Sequence, residues 1–256
     1  MKAFIAFTRK ELLEQIRSGK LLIMGASFLV LGIMNPAVAK LTPWLLELFA
    51  DSLAGSGITV TETTVSALDS WAQFFKNIPI GLIAFVLLQS SVLTKEISSG
   101  ALILSLTKGL QRYKAVVSKS TVLCALWTIG YFICFGVTYA YNSYFWDNSV
   151  AHSLGTAIVC WWLFGMLVIS FMILFSVFSL SATGVLMGTG GVVLVLYLIG
   201  LMPRIGRYLP SKLMDGSALI YGAAKPSDHI AALIIAAVST LACFMVSIPI
   251  FNKKQL

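Results

Sequence analysis

Charged residues are scarce in this chain. Only 11% of its 256 residues are Asp, Glu, Lys or Arg, whereas roughly 25% is usual for a soluble globular domain. Hydrophobic residues make up 58%, and the mean hydropathy is +0.91. This composition excludes a soluble globular fold and indicates a membrane protein.

Charge is absent altogether from five long stretches. They cover residues 21–39, 77–94, 120–146, 148–203 and 229–252. A helix needs about 20 apolar residues to cross the hydrocarbon core of a membrane, so four of these stretches can cross once. The stretch 148–203 would form a helix of about 84 Å, and it therefore has to cross twice. We expect its turn near residues 179–183.

The sequence therefore predicts an all-α, polytopic membrane protein with six transmembrane helices, in which residues 1–256 form a single transmembrane domain. The spans are expected at about 21–39, 77–94, 120–142, 153–178, 184–202 and 230–251. Residues 40–76 are predicted to be a flexible loop between short interfacial helices, with Trp71, Phe74 and Phe75 as interfacial anchors. Capture of a substrate by these aromatic residues is the alternative interpretation.

Residues 1–20 precede the first span and favour an interfacial helix. Ile5, Leu12 and Ile16 share one face of such a helix, and Glu14 is spaced to pair with Lys10 one turn before it. A helix of this kind lies on the surface of the membrane. An ordinary solvated leader is the alternative interpretation.

Motifs for catalysis and nucleotide binding are missing. The chain contains no G-x-x-x-x-G-K-[ST], H-E-x-x-H or G-x-S-x-G sequence. Its four cysteines all fall inside predicted spans, where they are expected to be small buried hydrophobes. We therefore assign no catalytic residue, metal ligand or cofactor to this chain and expect that it is not an enzyme.

Lys and Arg are distributed unevenly between the two sides that six spans create. Twelve of the 18 fall in residues 1–20, 95–119 and the C-terminal tail, against six on the other side. Segments rich in these residues stay in the cytoplasm. We therefore expect both termini to be cytoplasmic and interpret the net charge of +8 as an orientation signal, not as a surface for nucleic acid.

The cytoplasmic loop 95–119 contains eleven consecutive uncharged residues, 97–107. This run is too short to cross a membrane and too apolar for a free linker. An apolar patch on a short loop indicates a docking site for a partner.

Three regions of the chain are similar to one family of membrane proteins. They are Phe7-Thr8-Arg9-Lys10-Glu11-Leu12 with Arg17-Ser18-Gly19-Lys20, then Glu96, Gly100-Ala101-Leu102, Leu106-Thr107-Lys108, Arg112 and Lys119, and finally Leu209-Pro210-Ser211. In this order they resemble the permease subunits of ATP-binding-cassette type 2 exporters. In that family they form an interfacial N-terminal helix, a cytoplasmic coupling helix and an external segment before the last span. Gly109 stands where many members have a proline.

The resemblance implies a transport subunit of a bacterial cytoplasmic membrane. Two permease chains, identical or closely related, would pair in the lipid, and separate cytoplasmic ATP-binding-cassette ATPase subunits with ATP and Mg would drive export. The residues that it implies for coupling to the ATPase are Glu96, Gly100, Leu102, Leu104, Leu106 and Lys108. Spans rich in Phe, Met and Trp favour a hydrophobic or amphipathic cargo, such as a peptide, a drug or a lipid.

The predicted fifth span is rich in glycine. Gly184-x-x-x-Gly188 permits close helix approach, and Gly190 and Gly191 could loosen the helix. Simple packing is one interpretation. Because the resembling proteins line their pathway with spans two and five, a gate or hinge at these glycines is the other. Residues 203–228, which follow, are compatible with a segment that re-enters the membrane and with a surface loop.

Two other functions stay open. An ion-coupled secondary transporter would be expected to bury ionisable residues near the middle of the membrane, and the predicted spans contain no Asp, Glu, Lys or Arg. A non-transporting membrane sensor or accessory subunit that docks an ATPase through the loop 95–119 is the other alternative.

Overall fold

The computed structural model describes residues 2–48, 65–107, 109 and 111–254 of the protein. Of these residues 86% are helical, and none of them lies in a strand. The prediction of an all-α fold is confirmed.

Eleven α-helices are found in the described part of the chain. They are α1 (Lys2–Arg17), α2 (Lys20–Leu48), α3 (Ala67–Gln89), α4 (Thr94–Ser98), α5 (Ala101–Thr107), α6 (Arg112–Phe145), α7 (Leu154–Phe178), α8 (Ala182–Gly200), α9 (Pro203–Gly206), α10 (Gly216–Ile220) and α11 (Ile230–Lys253). Short 3₁₀ turns cover Asn148–Val150, Pro210–Met214 and Pro226–His229.

Six of the described helices, namely α2, α3, α6, α7, α8 and α11, are long and apolar enough to cross a membrane. The predicted turn inside the stretch 148–203 is confirmed, because α7 ends at Phe178 and α8 begins at Ala182. The hydroxyl of Ser181 caps α8 by accepting a hydrogen bond from the N–H of Gly184, 3.1 Å away. The protein is therefore a multi-pass membrane protein.

The segment between the first two spans differs from the prediction. No separate interfacial helices are present in its described part, because α2 continues to Leu48 and α3 already begins at Ala67; residues 49–64 lie outside the described residues. Trp71 and Phe74 are fully buried, so their assignment as interfacial anchors is wrong. The early start of α3 turns these rings inward, where Trp71 lies 5.6 Å from the ring of Phe135 on α6.

Side-chain contacts place both chain termini at one end of the helix bundle. There Lys119 at the start of α6 pairs with Glu11 of α1, with 2.7 Å between Nζ and Oε2. Lys254, after α11, donates a hydrogen bond of 2.6 Å to the carbonyl of Val177 at the end of α7. We call this end, which also carries α4 and α5, the termini end.

At the opposite end, residues 203–229 fold back against the bundle. The helix α10 packs on α3 and α7, and its residues Leu219 and Ile220 are fully buried. The indole of Trp161 on α7 donates to the carbonyl of Met214 at 3.0 Å. Residues 210–220 of this segment therefore cover the ends of α3 and α7, whereas residues 221–223 and 225–228 are exposed.

Candidate coupling site and apolar groove

The helix α1 lies against the bundle through a polar stripe. Glu11 and Gln15 are buried, and the hydroxyl of Thr8 lies 2.8 Å from that of Ser118 on α6. The amides of Gln15 and Gln89 exchange two hydrogen bonds of 3.1 and 3.0 Å. Every polar group of this stripe therefore has a partner on α3 or α6, which suits an environment with little water.

The apolar face that the sequence predicts for α1 points away from the bundle. Ile5 and Ile16 are more than half exposed, and Leu12 is also exposed. A helix with its apolar side chains outward and its polar stripe against protein fits the edge of a membrane.

Four charged residues from three helices meet at the termini end, and we call them the buried ion cluster. They are Lys10 and Glu11 of α1, Glu96 of α4 and Lys119 of α6. Lys119 is buried and lies 2.7 Å from Oε2 of Glu11 and 2.9 Å from Oε2 of Glu96. It donates hydrogen bonds to Glu11 and to the carbonyl of Val92, the latter at 3.2 Å, and its contact with Glu96 is an ion pair.

Lys10 closes the cluster from the side that faces solvent. Its ammonium group pairs with Glu96, and it lies 3.3 Å from Glu11 and 3.4 Å from Glu14, the pair that the helix spacing predicts. Partial burial by itself lowers the pKa of Lys10, but the hydrogen bond to Glu96 and the nearby carboxylates outweigh it and raise the pKa above its ordinary value. Lys10 therefore stays protonated throughout the physiological pH range.

The predicted coupling residues lie directly after this cluster. Gly100 separates α4 from α5 with a φ of +70°, a backbone conformation that glycine adopts without strain. On α5, Leu102 is fully buried and Leu106 is half-buried against the core, whereas Ile103 is 41% exposed. The helix therefore rests on the bundle with two leucines and presents Ile103 outward.

For two of the predicted coupling residues no side-chain contacts can be given. Lys108 lies outside the described residues, and so does the side chain of Leu104. Gly109 has a φ of +92°, and its N–H donates a hydrogen bond of 3.0 Å to the carbonyl of Leu106. Proline cannot adopt this φ, so a glycine here ends α5 in a way that the family's proline would not.

The four predicted gate glycines lie on α8, which is an unbroken helix. A Cβ on Gly184 would come within 2.2 Å of the Ser179 hydroxyl, and one on Gly188 within 2.4 Å of the Phe175 ring. These two glycines thus permit the close approach of α8 to the end of α7. Gly190 and Gly191 have no atoms within 4 Å of where a Cβ would be.

An apolar groove of about 290 Å³ separates α3 from α8. Its walls are formed by Leu82, Ile83, Val86 and Leu87 of α3, Val168 of α7, and Leu186, Thr189, Gly190 and Val193 of α8. The buried hydroxyl of Thr189 has no hydrogen-bond partner among the described residues. Gly190 is therefore the predicted gate residue that faces this groove.

No protein-family model matches the chain, and no curated protein matches it.

Proposed function

We propose that this chain is the permease subunit of an ATP-driven exporter, coupled through α5 to a separate ATPase. The buried ion cluster carries the proposal. It joins α4, which leads into α5, to the interfacial helix α1 and to the long span α6 through Glu96, Glu11 and Lys119. A displacement of α5 would therefore move the span α6 as well, because the ion pairs replace a flexible connection between them.

The exposed side chain of Ile103 supports docking of a partner on α5. It is 41% exposed at the termini end, although its neighbour Leu102 is fully buried. Leu102 and Leu106 hold α5 against the bundle, so the side chain of Ile103 stays exposed. An exposed apolar side chain in a fixed position can insert into a pocket on a soluble partner protein. ATP and Mg would be bound by that protein, and the termini end would face the cytoplasm.

The sparse contacts of α8 support pairing with a second permease chain. Only Val185 and Thr189 of this helix are buried, and α8 packs mainly on α7. Its remaining apolar surface would face lipid or a second copy, and the groove between α3 and α8 would open toward the space between two copies. A groove with apolar walls and one free hydroxyl suits a hydrophobic or amphipathic cargo.

The position of the buried charges argues against the ion-coupled alternative. Among the described residues, buried ionisable side chains other than cysteine and tyrosine are Glu11, Glu96, Lys119 and His229. Glu11 and Glu96 lie on the short helices α1 and α4, Lys119 lies in the first quarter of α6, and His229 directly precedes α11. An ion-coupled transporter is instead expected to place such groups near the middle of its spans. Export driven by a proton gradient without ATP would contradict our proposal.

The test replaces Ile103 by aspartate in cells that supply the protein's own ATPase. A charge on the docking face should abolish co-purification of the ATPase and lower permease-stimulated ATP hydrolysis about tenfold, since losing an apolar anchor costs at least about 1.4 kcal/mol. The readouts are the amount of ATPase recovered with the tagged permease and the hydrolysis rate in reconstituted vesicles.

The matched control is Leu180→Asp, which adds the same charge to the exposed α7–α8 turn at the termini end. It should leave co-purification and hydrolysis unchanged. Equal losses in both variants, or no loss in Ile103→Asp, would overturn the coupling assignment.

A further inference from the structure

A pocket of about 450 Å³ lies at the end of α8 opposite the termini end. Two glycines create it by bringing the chain back against the helix. A Cβ on Gly200 would come within 2.2 Å of the Ser211 hydroxyl, and one on Gly206 within 2.2 Å of the carbonyl oxygen of Gly200. The short helix α9 and the following turn can therefore fold closely over the last turn of α8.

The walls of this pocket differ in chemistry. Tyr197, Leu201 and Met202 form an apolar side, and all three are about half exposed or more. Arg207, Lys212 and Asp215 are the charged residues of its lining. The apolar side continues the outward face of α8, where Leu194 and Leu198 are exposed.

The charges of the pocket do not balance. Lys212 pairs with Asp215, with 3.1 Å between Nζ and Oδ2. Arg207 has no ion pair with any residue that the structure describes; its guanidinium lies 4.8 Å from the centre of the Tyr208 ring. The pocket thus carries one uncompensated positive charge, and a guanidinium group is well suited to bind a phosphate oxygen pair.

We propose that this pocket binds the phosphate of an anionic phospholipid from the surrounding leaflet. Arg207 would contact the phosphate and Lys212 would lie beside it, while an acyl chain would follow the exposed face of α8 past Leu201, Leu198 and Leu194. The combination of an unpaired cation and a continuous apolar surface fits a lipid headgroup better than a free anion. This site is independent of the export function proposed above.

Native mass spectrometry of the purified protein in detergent tests the proposal. The probes are dioleoyl phosphatidylglycerol, dioleoylglycerol, which has the same chains without a phosphate, and inorganic phosphate. We expect phosphatidylglycerol to bind at least about tenfold more tightly than dioleoylglycerol, and Arg207→Gln to remove most of this preference. Arg207→Lys should retain part of it, because the charge remains.

Arg204→Gln is the matched control, because Arg204 is an exposed arginine of α9 that does not line the pocket. It should bind phosphatidylglycerol as the unmodified protein does. If Arg207→Gln and Arg204→Gln lose equal affinity for phosphatidylglycerol, the lipid responds to the overall positive charge of the region, and the specific site is overturned. If phosphatidylglycerol and dioleoylglycerol bind equally well, the role of the phosphate is overturned. Competition by millimolar inorganic phosphate would overturn the lipid as occupant. A melting temperature unchanged in Arg207→Gln shows that the variant is folded.

Discussion

Lys119 illustrates how a residue's sequence position and its role can differ. It lies at the start of a long apolar stretch, where a lysine is usually an anchor at the membrane surface. In the structure it is buried between Glu11 and Glu96, two residues far apart in the chain with which it forms ion pairs. Neither partner could be identified from spacing along the sequence, because the pairs connect three different helices.

Removing Lys119 should be far more costly than removing Lys10. Lys119→Met leaves two buried carboxylates without their main counterion and should lower the free energy of unfolding by about 3–5 kcal/mol. Lys10 is 44% exposed, so Lys10→Met should cost under about 1 kcal/mol. Denaturant unfolding in mild detergent measures both.

The double variant Lys119→Met with Glu96→Gln serves as a control for this prediction. It should recover part of the loss, because it removes one of the stranded charges. Similar stabilities for Lys119→Met and Lys10→Met would show that the cluster is not a buried electrostatic unit.

At the scale of single helices, the sequence predicts that elements exist but not which way their faces point. The run 97–107 indicated an apolar docking site, and the structure divides this run at Gly100 between the end of α4 and α5. Leu102 and Leu106, one turn apart, share the buried face, and Ile103 is the exposed residue. The candidate docking residue was therefore missed, although its leucine neighbours were included.

The glycines of α8 also differ in the direction that they face. Gly188 faces Phe175, and Gly190 faces the groove, because neighbouring positions of a helix point in different directions. The sequence motif alone could not distinguish a packing glycine from one beside an open groove.

Filling the groove should block transport without destabilising the fold. Gly190→Leu places four carbon atoms in a groove of about 290 Å³ and should lower efflux of an amphipathic fluorescent dye about tenfold. Leucine also has the better helix propensity, so thermal stability should not fall. Dye efflux from vesicles that contain the permease and its ATPase measures the effect.

Gly136→Leu is the matched control, because it adds the same side chain at an exposed position of the span α6, where a Cβ also meets nothing within 4 Å, and Gly136 does not line the groove. It should retain efflux. If Gly190→Leu transports normally, the groove is not part of the cargo pathway.

At the scale of the whole molecule, the six spans place the segments on two sides of the membrane. Residues 148–150 lie at the end of the bundle opposite to α1, as the contact between Trp71 and Asn148 shows. The excess of Lys and Arg in the segments at the termini end predicts that this end is cytoplasmic.

Cysteine labelling tests this orientation. In intact cells a membrane-impermeant maleimide should label Ser149→Cys, and it should label Ser18→Cys only after permeabilisation; both serines are exposed. The protein without an added cysteine is the control for its four native thiols. Labelling of Ser18→Cys in intact cells would reverse the orientation.

The sequence by itself determined the class of the protein, the number of spans and the turn between α7 and α8, because crossing a membrane demands long uncharged helices. Tertiary structure alone decided which polar residues meet inside the bundle. The buried ion cluster, the inward rings of Trp71 and Phe74 and the fold of residues 203–229 all depend on contacts between distant segments. Such contacts arise from packing in three dimensions and produce no periodic pattern in the sequence.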